Sequence, residues 1–161
     1  MTMKSRYSPI LLLAVLAMTA CGEKQADAPA LADAPAAAEP IALPRSASPE
    51  GARVFFISPA DGATVTNPVR IEFGIAGMSV VAAGVDEANS GHHHLLVDTG
   101  LPDLGLPIPA DANHIHFGDG RTATEVTLAP GEHSLQLLLG DHLHIPHLPP
   151  VASDVISITV E

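Results

Sequence analysis

Apolar and polar residues alternate through Val69-Arg70-Ile71-Glu72-Phe73-Gly74-Ile75, the period of two that marks a strand with one buried face. The same reading places strands at Arg53–Ile57, Met78–Ala82, His93–Asp98, Glu125–Leu128, Ser134–Leu139 and Val155–Val160. Turn signals separate them, at Ser58-Pro59-Ala60-Asp61-Gly62-Ala63, Asp119-Gly120, Pro130-Gly131 and Gly140-Asp141. After residue 50 no segment repeats apolar residues at 3.6-residue spacing over three turns. Short strands with frequent turns predict an all-β domain over 51–161, a single immunoglobulin-like antiparallel β-sandwich. Leu101–Ala112 stands apart, because Pro102, Pro107 and Pro109 prevent regular pairing. It predicts a long loop, of the kind that often carries function.

The first fifty residues have a different pattern. Lys4 and Arg6 precede a short apolar run, Ile10–Ala17, and small residues lead to Cys21. A run this short reads as a secretory signal over residues 1–20 and not as a permanent span. Its ending, Leu16-Ala17-Met18-Thr19-Ala20-Cys21, resembles a bacterial lipobox, which implies lipidation of Cys21 and anchoring to a membrane. Gly22 after the cysteine implies outer-membrane sorting, with the chain facing the periplasm. Residues 21–50 are rich in Ala, Pro and acids without apolar periodicity, and predict a disordered tether.

Charge and cysteine content narrow the chemistry. The net charge is −11, and loss of the signal would remove two of the seven Lys and Arg residues while leaving all the acids. Neutralisation of nucleic-acid phosphates is therefore excluded as a binding mode. With Cys21 as the lone cysteine, an intrachain disulfide or a cysteine-rich metal site is excluded too. Met78 is the one methionine beyond the expected signal, which leaves no methionine-rich copper relay.

Histidine is what remains. The chain holds nine, and six fall in three His-x-His pairs: His92 with His94, His114 with His116, and His142 with His144. On a strand, residues i and i+2 project from one face, about 6.6–7 Å apart along the backbone, within reach of a shared ion. Neutral imidazoles suit borderline ions, so the expected cofactor is a transition metal, Cu or Zn. The six paired histidines are the expected ligands, with His93 and His147 in reserve. Asp98, Asp111, Asp119 and Asp141 are candidates to ligate or to hold ring orientation. His133 alternates with Leu135, Leu137 and Leu139 and reads as a core-facing histidine with a hydrogen-bond partner. No nucleophile elbow, zinc-protease helix or phosphate loop is present, so the pattern points to binding more than to catalysis. The competing expectation is a metal-free module that contacts a partner in the cell envelope, its identity unspecified.

Four stretches carry a family resemblance: Gly91–Asp98, His114–Thr122, Leu128–Leu137, and Gly140-Asp141-His142 with His147, Pro149-Pro150 and Ser153. Together they resemble the domain of unknown function 4399, a secreted bacterial domain, over about Val54–Val160. The resemblance implies that the histidine motifs belong to one secreted β-domain. It implies no metal, substrate or reaction.

Overall fold

The structure, a computed structural model, describes residues 43–161. The expected signal, Cys21 and most of the expected tether lie outside the described residues. Among the described residues there are nine strands and no helix: β1 (Arg53–Ser58), β2 (Ala63–Val65), β3 (Val69–Ala76), β4 (Ser79–Val80), β5 (Ser90–Val97), β6 (His114–His116), β7 (Ala123–Val126), β8 (Gly131–Gly140) and β9 (Ile156–Val160). None of the described residues forms a helix long and apolar enough to cross a membrane.

The strands form two sheets. The smaller has the order β1-β3-β7 and is antiparallel throughout. The larger runs β2-β9-β8-β5-β4, with β6 also paired to β5. It is mixed, because β2 runs parallel to β9 and β4 runs parallel to β5. The expected antiparallel sandwich is correct for the other pairings. The two parallel contacts involve strands of three and two residues that flank it.

Alternation builds the core between the sheets. Val69, Ile71 and Phe73 of β3 face Leu95 and Val97 of β5, Leu135, Leu137 and Leu139 of β8, and Ile156, Ile158 and Val160 of β9, all buried. A second, small cluster lies on the opposite face of the larger sheet, where Leu96 and Leu138 are covered by Ile108 of the proline-rich loop. Every residue of β5 is consequently buried. β8 pairs along one edge of β5, while β4 and β6 divide the other edge between its two halves.

Ordered contacts begin before the boundary expected at residue 51. Arg45 donates to the carbonyls of Pro146 and His147, Ser48 to that of Pro149, and Ser46 Oγ to Asp141 at 2.8 Å. These partners lie about a hundred residues away, so no local pattern announces them. Truncating a fully buried Leu leaves a cavity as well as losing burial, so Leu137→Ala should cost about 2–5 kcal/mol. Urea unfolding should show this as a lower midpoint at unchanged slope.

Candidate metal centre

β5 carries His92 and His94 on the outer face of the larger sheet, the face away from the main core. Their Nε2 atoms lie 3.2 Å apart. β6 runs antiparallel to β5 with His116 opposite His94, which places a third ring 5.0 Å from His94 and 4.9 Å from His92 between centroids. His144 adds a fourth, 4.8 Å from His92, 4.8 Å from His116 and 6.0 Å from His94. One nitrogen each from His92, His94 and His116 lies within 4.8 Å of the others. A tetrahedral ion with bonds of ~2.0–2.1 Å separates its donors by about 3.3 Å. The 3.2 Å between His92 and His94 is close to that edge.

Two glycines make room for this group. Gly140 stands opposite His92, and a Cβ there would lie 3.0 Å from His94 Nε2. A Cβ on Gly118 would fall 2.3 Å from the His116 ring. Neither glycine was legible as part of a site, because the approach is across strands or around a turn.

The third His-x-His pair is not on a strand, contrary to expectation. β8 ends at Gly140, and Asp141 captures the chain: its Oδ1 accepts from the backbone N–H of Leu143 at 2.9 Å and of Ile145 at 3.0 Å. His144 adopts a left-handed backbone, φ 65°, which is uncommon outside glycine and must be held by its surroundings. The hold comes from Asp141, from the His144 N–H to the Asp141 carbonyl at 2.9 Å, and from Ile108 N–H to the His144 carbonyl at 2.8 Å. The turn aims His144 at the group. It sends His142 elsewhere, with Nδ1 3.5 Å from Asp86.

The other expected ligands are also apart. His93 projects into the core, fully buried, with its ring 4.8 Å from that of Phe73 and neither nitrogen hydrogen-bonded. His147 is buried with Nε2 3.1 Å from the Ser90 carbonyl and Nδ1 3.4 Å from that of Leu139. His114 shares the sheet face with His116, but its Nδ1 is bound to Asp111 at 2.8 Å. Asp98 and Asp119 are engaged by His133 and Arg121. His133 has the partner expected of it and a second in the Ala129 carbonyl, 2.8 Å from Nε2.

A family model matches residues 71–161, which include all nine histidines. The chain belongs to the DUF4399 family, a domain of unknown function. No curated protein and no solved structure matches it. β1 and β2 precede the matched part.

Burial dominates the electrostatics of the DUF4399 imidazoles. It holds His94 down to about 2, with His92, His116 and His144 acting in the same direction. His92 is lowered to about 4 by burial first and then by His144 and His116. His93 is lowered to about 4 by burial alone, and His116 is lowered by burial and then His144. His92, His94 and His116 are therefore neutral at pH 7 and keep their lone pairs, the state a metal requires. His133 is raised, by the Ala129 carbonyl first and then Asp98.

These shifts make the stability of the fold depend on pH. As pH falls from about 6.5 toward 4, the unfolded chain takes up protons that the folded His92, His93 and His94 refuse, so stability present above 6.5 is lost. His133 acts oppositely, with a contribution present below 6.5 and lost as pH rises through its folded value. The lowered groups outnumber it, so the loss of stability on acidification prevails. The denaturant midpoint of the metal-free protein should therefore be lower at pH 5 than at pH 7.5, and an equal midpoint would contradict the burial argument. His93→Leu removes two unpaired nitrogens at similar volume and should raise the melting temperature, since an unsatisfied buried polar group costs about 1–3 kcal/mol.

Proposed function

We propose that the domain binds one transition-metal ion, Cu or Zn, through His92, His94 and His116, with His144 as the fourth donor. The observation that carries this is the convergence of three neutral imidazole nitrogens within 4.8 Å on paired strands. Packing alone does not account for it. Nδ1 of His92 and of His94 is buried without a hydrogen-bond partner, and apolar side chains would fill the same face without that cost. The N-terminal sequence adds the setting: a lipoprotein anchored through Cys21, facing the periplasm from the outer membrane.

A metal-free module facing an envelope partner has one observation on its side. The 3.2 Å contact between His92 and His94 is itself a hydrogen bond when one ring carries the Nε2 proton. Metal titration separates the two. The full chain, without a histidine tag, should bind one equivalent of Cu(II) or Zn(II). His94→Ala and His116→Ala should each lose that binding while the strand signal in circular dichroism persists. Affinity no tighter than scattered surface histidines provide would leave the metal-free module as the reading.

A further inference from the structure

His114 holds a place that the four-imidazole group does not explain. On β6 it stands opposite Leu96 and diagonal to His94, on the same face of the sheet. Its Nδ1 meets Asp111 Oδ1 at 2.8 Å, and the backbone N–H groups of Asn113 and His114 donate to the same oxygen. A carboxylate accepts only, so His114 Nδ1 carries the proton and Nε2 presents a lone pair. That Nε2 is buried and unpartnered, and so is Nδ1 of His94. Diagonal side chains across an antiparallel pair lie about 7–8 Å apart at the backbone and closer at Cβ. The two rings are close enough for His114 to act on His94 electrostatically, and one bridging water joins polar atoms that lie beyond direct hydrogen-bond reach.

We propose that His114 is a positioning residue for His94: His94 Nδ1–H donates through one water to His114 Nε2, and His114 Nδ1–H donates to Asp111. The exposed carboxylate at the far end sets the sense of the whole chain. With its Nδ1 protonated, His94 turns a lone pair on Nε2 toward His92, 3.2 Å away. In the metal-free protein His92 Nε2–H donates to that lone pair. For an ion to bind there, His94 would already have the ligating tautomer, whereas His92 would have to move its proton from Nε2 to Nδ1. The consequence for affinity rests on the metal reading above; the chain of hydrogen bonds does not.

Nitrogen-15 NMR of the metal-free full chain reads the tautomers. The expected result is His94 and His114 both protonated at Nδ1, with His92 protonated at Nε2. His94 protonated at Nε2, or His114 bare at Nδ1, would overturn the proposal in the wild-type protein alone, so a variant that fails to fold does not remove the test. His114→Phe keeps a ring without an acceptor, and His94 should then populate both tautomers; an unchanged His94 spectrum would also overturn it. Zn(II) affinity should fall about 10–100-fold in His114→Phe. Asp111→Asn should lose less, and the double variant no more than His114→Phe, because Asp111 acts through His114. The expected tautomers with no Zn(II) affinity would sustain the hydrogen-bonded chain and sink the metal reading.

Discussion

Burial of β5 on both faces is the constraint around which the domain is arranged. A strand covered on two sides must find partners for its whole backbone, and β8, β4 and β6 supply them along its two edges. It must also be capped above and below. Phe73 and its neighbours cover one face, and the proline-rich loop with the 141–147 turn covers the other. Strands of this kind usually read as continuous apolar runs. Here the run opens Ser-Gly-His-His-His, so polar rings occupy positions that packing would give to Val or Leu.

The faces of β5 were readable because a period of two needs nothing but the strand itself. That period sets His93, Leu95 and Val97 on one face and His92, His94 and Leu96 on the other, but with leucine on both it leaves open which face meets the core, and His93 stands as a reserve ligand. The third pair could not be read this way. Asp141 competes with the strand by binding two backbone N–H groups ahead of it, the habit that makes Asp a turn former. His-x-His spacing on a turn then separates two side chains that a strand would bring together. The place of His114 was half legible: the Asp111-Ala112-Asn113-His114 spacing allows a local carboxylate contact, while its standing opposite Leu96 and outside the four-ring group depends on the register with β5. β2 and the contacts of Arg45 and Ser46 were out of reach, because their partners are parallel or distant segments that leave no local periodicity.

The loops around the site are tied to each other more than to the core. Ile108 holds the His144 carbonyl, Ala83 donates to the Gly118 carbonyl beside His116, and Ser46 reaches Asp141. A turn in a left-handed conformation keeps its shape only while such ties persist. His144 is thus positioned by a turn bonded to two distant segments, whereas His92, His94 and His116 are positioned by sheet register. The four rings differ in how firmly they are placed, and that difference falls between strand and turn.

Charge argues for the class of ion in the proposed reading. Four imidazoles bring no negative charge, so a bound divalent ion keeps its own, and the carboxylates acting on the group are Asp141 on His92 and Asp119 on His116. Hard ions such as Mg and Ca are held by oxygen ligands and would find none within the donor set. Met78 packs against the main core, on the other side of the sheet, and brings no thioether. What is left is the borderline group that favours imidazole nitrogen. The donor count bears on the kind of site this would be. His92 and His94 are buried and His116 is exposed, so solvent would reach one of the donors. Four protein donors fill a tetrahedral ion, whereas a catalytic site keeps one position open for water or substrate. With His144 as the fourth donor the proposed site would be of the closed kind, while the fold has its own core without the ion.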